Sequence, residues 1–262
     1  DAVGQVASAC ASALLRGARG NSGVILSLLF RGFAQGLKEL DVMDGSHIAT
    51  ALGIGVEAAY KAVMKPKEGT VLTVVRSMAE AAEAASARNN DVMYVIDAMI
   101  EMGEETLKKT PDMLPVLKEA GVVDAGGMGL LVIIRGFKMA LMGEPVPEEE
   151  VQITGPSLVA EELNTDIEFG YCTEFIVSRE NRKDPEQLRA FLQELGDSLV
   201  LVEDDEIIKV HVHTNNPGTA LQEALTYGSF VTVKIENMRL QHTEKVMSEQ
   251  ELQPQIAPPE KK

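Results

Sequence analysis

Along the first 143 residues apolar side chains recur every three or four positions, and after residue 170 they begin to alternate. The first period gathers apolar groups on one stripe of an α-helix, and alternation gathers them on one face of a strand. Helices are therefore predicted over residues 2–16, with Val3, Val6, Ala7, Cys10, Ala13 and Leu14 inward, and over 22–38, which is apolar on nearly every side. More follow from Asp44 or Ser46 to just before Lys65-Pro66, from Gly69-Thr70 to about Ala87, and from Asp91 through Lys109. A short helix from about Asp112 to Ala120 and a final one ending near Met142 complete this half. The Lys65 boundary is set by Pro66, because proline disfavours helical geometry in the residue before it.

Beyond residue 170, strands are predicted over Tyr171 to Ser178, Ser198 to Glu203, Ile207 to His213 and Phe230 to Ile235. Helices opened by Asp184-Pro185 and Pro217-Gly218 separate them in the order βαββαβ, the ferredoxin-like pattern. The chain thus reads as multi-domain, with an all-α helical domain over 1–143 and an α+β ferredoxin-like domain over 167–248. An acidic, proline-bearing linker spans 144–166, and a second linker spans 249–262.

Charge sharpens that division. Residues 1–143 hold 14 Lys and Arg against 16 Asp and Glu, whereas residues 144–262 hold 10 against 24. The acidic half repels nucleic acid and anionic membranes, and the nearly neutral half can accept a phosphate. Cys10 and Cys172 are far apart in sequence and suggest no disulfide framework, so a cytoplasmic location is expected. No apolar run of membrane-spanning length is visible. The start at Asp1 and the proline-bearing end suggest a piece of a longer protein.

Three corners carry chemistry. Gly17-Ala18-Arg19-Gly20-Asn21-Ser22-Gly23 is a glycine-rich turn running into a helix, where Asn21 or Ser22 can cap and Arg16 and Arg19 add positive charge. Such a turn offers free N–H groups and the positive end of a helix dipole to an anion. It is not a Walker loop, since no Gly-Lys-Ser/Thr follows. Lys65-Pro66-Lys67-Glu68-Gly69-Thr70 and Asp124-Ala125-Gly126-Gly127 are further helix starts of similar make. One such loop is an ordinary corner; three on one helical domain suggest N-termini converging on a polyphosphate.

In the second half, Val210-His211-Val212-His213 places two imidazoles on one face of a strand. Cys172 is the natural third donor, and zinc is the metal suited to mixed sulfur and nitrogen. The alternative is a pair of strand histidines facing solvent or hydrogen-bonded. Parallel first and third strands would favour that alternative, because Cys172 begins its strand and His213 ends its own. Lying far from the glycine-bearing loops in sequence, such a site is expected to be structural. His47 is expected near a helix start and His242 on the surface, Asp204-Asp205 reads as a hairpin turn, and no Ser/His/Asp triad can be assembled.

The three glycine-bearing motifs, in this order, resemble those of the dihydroxyacetone-kinase L-subunit-like family. Over nearly all 262 residues the chain looks similar to the ATP-binding subunits of bacterial fatty acid kinases. The resemblance implies an eight-helix nucleotide-binding barrel in which Asn21, Ser22 and Gly23 hold phosphates of ATP, Gly69 and Thr70 add a second contact, and Asp124, Ala125, Gly126 and Gly127 close over the nucleotide. It also implies a zinc held by a cysteine and histidine pair in the second domain. A fatty-acid-binding carrier protein would present the acceptor carboxylate, which receives the γ-phosphoryl group to give an acyl phosphate. The family's Mg2+ motif, Asp-Gly-Asp-Thr-Gly upstream of the glycine-rich loop, does not occur in this sequence, which leaves catalytic residues unassigned and predicts no turnover by the chain alone. The family's C-terminal carrier-engaging domain is likewise missing. A homodimer through the second domain, a dihydroxyacetone-type kinase subunit, and a non-catalytic nucleotide-binding scaffold are the other readings considered.

Overall fold

The computed structural model describes residues 2–63, 65–145 and 168–240. The two linkers and His242 lie essentially outside those residues. The helical part holds α1 (Val3–Gly17), α2 (Gly20–Gly36), α3 (Gly45–Ala62), α4 (Val71–Ser86), α5 (Val92–Met113), α6 (Pro115–Ala120) and α7 (Ala125–Leu141). Each of α1 to α4 packs on the next, and α5 packs on both α4 and α7. Short connections between packed helices make neighbours antiparallel. The starts of α2, α4 and α7 therefore share one end, and those of α3 and α5 share the other.

Local chemistry explains the boundaries. Asp44 caps α3 by accepting from His47 N–H at 3.0 Å, while Asp44 N–H donates to His47 Nδ1 at 3.3 Å, a reciprocal pair that gives His47 its capping place. Asp91 caps α5 by accepting from Tyr94 N–H at 2.9 Å. Helix α5 does not stop at Lys109 but runs to Met113 with Pro111 inside it. Pro111 has no N–H to give the Leu107 carbonyl four residues back, and Thr110 Oγ1 donates to that carbonyl instead, at 2.7 Å. Helix α1 buries Gly4, Ala11 and Leu15, a stripe rotated from the expected one, and leaves Val6 56% exposed. Gly4 fixes that rotation, since a Cβ there would stand 2.6 Å from the Leu37 carbonyl oxygen.

The sheet part follows as β1 (Tyr171–Ser178), α8 (Pro185–Leu195), β2 (Gly196–Glu203), β3 (Ile207–Thr214), α9 (Pro217–Ala224) and β4 (Phe230–Asn237). Its strands lie in the order β2-β3-β1-β4, and each neighbouring pair is antiparallel. The expectation of parallel first and third strands is thereby overturned. Helix α8 returns the chain so that β2 runs with β1, and the Asp204 hairpin then reverses it, so β3 lies antiparallel to both. Asp204 Oδ1 pins that hairpin by accepting from Glu206 and Ile207 N–H, both at 2.8 Å.

Strand β3 is buried along nearly its whole length because both sheet faces are covered. On one face Ile208, Val210 and Val212 join Phe175, Val177, Leu188, Leu192 and Ala220 in a core under α8 and α9. On the other, Ile176, Val200, Val202 and Ile207 belong to the core of the helical part. That second face also carries Lys209, His211 and His213 by alternation. No helix among the described residues is long and apolar enough to cross a membrane.

Candidate functional site

The three glycine-bearing helix starts meet. A Cβ placed on Gly126 would lie 3.2 Å from Val71 Cβ and 3.5 Å from Ser22 Oγ, so the first turns of α2, α4 and α7 touch at that glycine. A Cβ on Gly127 would lie 2.8 Å from Val74 Cγ2, which makes α7 and α4 as close as backbone allows. Helix α2 starts earlier than its sequence suggests: Arg19 is the N-cap and Gly20, at φ +64, the first helical residue. That positive φ is cheap only for glycine. Asn21, Ser22 and Gly23 consequently lie within the first turn instead of capping it.

Neither Arg19 nor Thr70 makes a side-chain cap hydrogen bond to its own helix. Thr70 Oγ1 turns back to the Lys67 carbonyl at 2.8 Å, and Gly69 N–H donates to Thr73 Oγ1 at 2.9 Å. Thr73 in turn donates to Glu68 at 2.8 Å, and Arg76 holds the same carboxylate through two contacts of 2.8 Å. At the third start Asp124 is buried and accepts from Gly127 N–H at 2.6 Å. Asp124 N–H donates to Thr110 Oγ1 at 3.1 Å, so the hydroxyl that repairs the Pro111 break also anchors this corner. Thr110 was not singled out from sequence; the Thr-Pro pair in the last turn of a helix was its signal.

Antiparallel pairing decides the second cluster. Cys172 stands directly across from His213, and Glu174 from His211. Donor atoms of Cys172, His211 and His213 all lie within 4.8 Å of one another. His211 Nε2 is 3.2 Å from His213 Nε2. Two nitrogens on one tetrahedral zinc, each about 2.05 Å from it, stand about 3.3 Å apart, so the donor set fits that metal. His211 Nδ1 lies 2.8 Å from Glu174 Oε1, the carboxylate–histidine pairing that fixes a metal-binding ring and leaves Nε2 for the ion. Burial opposes a charged His211, yet Cys172 and Glu174 outweigh it and raise the imidazole to about 9. The spot favours positive charge. Burial likewise pushes Glu174 up, but its bonds to His211 and Gly20 overcome this and hold it low. For Mg2+, a hard ion that takes oxygen ligands, no comparable cluster of carboxylates forms among the described residues.

The two clusters are not remote. Glu174 Oε1 also accepts from Gly20 N–H at 2.8 Å, so one carboxylate oxygen touches both the His211 ring and the start of α2. Lys209, 4% exposed and pushed below its usual range by burial, donates to the Leu15 carbonyl at 2.9 Å and to that of Ala18. Exposed Arg16 pairs with Glu206 at 2.5 Å on the same seam. Glu174 and Lys209 escaped notice in the sequence because each is an ordinary charged residue on a strand. Only their alternation with Cys172 and the two histidines hinted at a shared face.

This geometry has relatives. The DAK2 domain matches residues 1–139, and the FakA-like middle domain of fatty acid kinases matches residues 168–245. The chain belongs to this DAK2-domain family. Protein YloV of Bacillus subtilis is 44% identical over 273 residues, covering 100% of the chain and 49% of that protein. An uncharacterized protein of Staphylococcus saprophyticus is 44% identical over 257 residues, covering 94% of the chain and 47% of itself. One from Staphylococcus aureus strain USA300 is 43% identical over 258 residues, with 95% and 47% covered. The chain therefore spans about half the length of the curated relatives it matches.

Proposed function

We propose that this chain is the nucleotide-binding and metal-binding portion of a fatty acid kinase. ATP would lay its phosphates on the starts of α2, α4 and α7, contacting Asn21, Ser22 and Gly23, then Gly69 and Thr70, with Asp124 to Gly127 closing the third side. The γ-phosphoryl group would pass to the carboxylate of a fatty acid presented by a separate carrier protein, giving an acyl phosphate. The observation that carries the nucleotide assignment is the meeting of Ser22, Val71 and Gly126. Bare backbone at three converging helix starts is suited to a polyphosphate.

The match to a fatty acid kinase middle domain favours the fatty acid over dihydroxyacetone as acceptor. We read residues 1–143 and 167–248 as two domains, the second ferredoxin-like by its element order and antiparallel sheet. Zinc bound by Cys172, His211 and His213 would tie β1 to β3, with a fourth position left for another ligand. Its affinity falls as pH falls, because thiolate and imidazoles must shed protons to bind.

The test is Ser22→Asp, with ATP affinity measured by titration calorimetry. A carboxylate placed where phosphate belongs should weaken binding at least about tenfold, since about 1.4 kcal/mol of repulsion suffices. Unchanged affinity would overturn the phosphate assignment.

A further inference from the structure

We infer that Glu174 is a positioning residue that couples metal binding at Cys172, His211 and His213 to nucleotide binding at the start of α2. The inference rests on the proposed function for both sites and adds a link between them. Its basis is one oxygen atom. Glu174 Oε1 lies 2.8 Å from His211 Nδ1 and accepts from Gly20 N–H at 2.8 Å. The side chains of His211 and Glu174 are only 3% and 12% exposed, so water does not readily replace either partner. Bonds in such a setting are stronger than their solvated counterparts.

A metal on His211 Nε2 immobilises the ring and directs Nδ1–H at Glu174. The carboxylate, held on that side, holds Gly20 on the other. Gly20 is the first residue of α2 and sits at φ +64, a conformation that leaves its peptide planes easily rotated. The orientation of that peptide sets how the N–H groups of the next three residues are presented. From the same face of β3, Lys209 grips the Leu15 and Ala18 carbonyls that end α1. The corner is thus clasped on both flanks by strand residues two positions from, or paired across to, the metal ligands.

A corner ordered beforehand binds phosphate without meeting the ordering cost at that moment. Metal and nucleotide therefore favour each other, and by linkage the effect is reciprocal. This differs from a purely structural metal, which would raise the melting temperature and leave nucleotide affinity alone.

The experiment measures ATP affinity of the chain with zinc loaded and with zinc stripped, the chelator being dialysed away and Mg2+ restored before titration. Zinc affinity is measured in parallel, by competition with a chromophoric chelator, with and without ATP. In the parent both ratios should agree at about fivefold or more, the usual size of such coupling. Glu174→Ala should bring both ratios to one while still binding each ligand. Glu174→Gln, which can still accept from Gly20 N–H and from His211, should restore most of the coupling. Ratios of one in the parent, or equal coupling in Glu174→Ala, overturn the inference alone. Failure of the parent to bind zinc or ATP at all overturns the proposed function and the coupling with it. An unfolded Glu174→Ala protein leaves the decision to the parent ratios and Glu174→Gln, where coupling as weak as one again overturns it.

Discussion

At one end of the helical part, α3 and α5 begin with aspartates that cap their own helices; at the other, α2 and α4 begin with residues that do not. The first end is finished by side chains alone. Asp44 holds His47 N–H and Ser46 Oγ, Asn90 Nδ2 donates to it at 2.9 Å, and Asn90 Oδ1 accepts from Ser46 N–H at 2.6 Å. The second end is finished by glycine, by Thr73 and Thr110 from within neighbouring turns, and by Glu174 from the sheet. A helix start that does not satisfy itself is available to something else. The contrast teaches where to look for a ligand, independently of any motif.

The strongest way to sharpen this contrast is to remove the metal ligands. In a Cys172→Ser, His211→Ala double variant, zinc content should fall from about one equivalent to none. Amide exchange at Gly20 to Gly23 should quicken while Gly45 to Ile48 keep their protection. Equal metal content in variant and parent would return these residues to an ordinary strand role.

Glycine substitutions come next. Gly126→Val pushes a branched side chain against Val71 and Ser22, and Gly45→Val does the same against Val95 Cγ2, 2.6 Å from a Cβ there. Each should cost about 1–3 kcal/mol of stability. Only Gly126→Val should also weaken ATP binding severalfold, and equal affinities in the two variants would erase the distinction between the ends. Asp91→Ala should then cost about 1 kcal/mol by removing a cap, seen as a lower melting temperature with ATP affinity unchanged.

The smallest effect is in acid. The His47 N–H bond, then Ser46, lowers Asp44 to about 2 in the folded protein. Being depressed on folding, this group contributes stability present above its unfolded value near 4 and lost as pH falls through about 2. Thermal melts of the parent and Asp44→Asn should therefore converge across that window and differ by a constant above it. Parallel curves throughout would remove the cap from the account.

Much of this was legible beforehand because it is local. Asp44, Asp91, Asp184 and Pro217 announce their helices, and alternation marked every strand. The ends of α5 and β2 were less legible, for definite reasons. Thr110 rescues a proline that would otherwise stop α5, and β2 gains Gly196 by pairing with Thr214 across a register shift. The glycine-rich motifs could be read as three helix starts, but not that Gly126 is where they touch. The Cys/His cluster was visible as a spacing and obscured by a strand direction, since orientation is decided by α8 and the hairpin together. Glu174 and Lys209 could not be found at all without the other half of the molecule in place.

The pairing of Cys172 with His213 carries a consequence for how the protein reaches this state. Strands β1 and β3 are separated in the chain by α8 and β2, and nothing local tells one where to meet the other. Sliding their alignment by a single residue would send the thiol and the imidazoles to opposite faces. A metal that needs all three acts as a proofreader, retaining copies in which the strands have met correctly and passing over those that have not. Zinc present during refolding should then raise the yield of native protein, even if it is withdrawn afterwards.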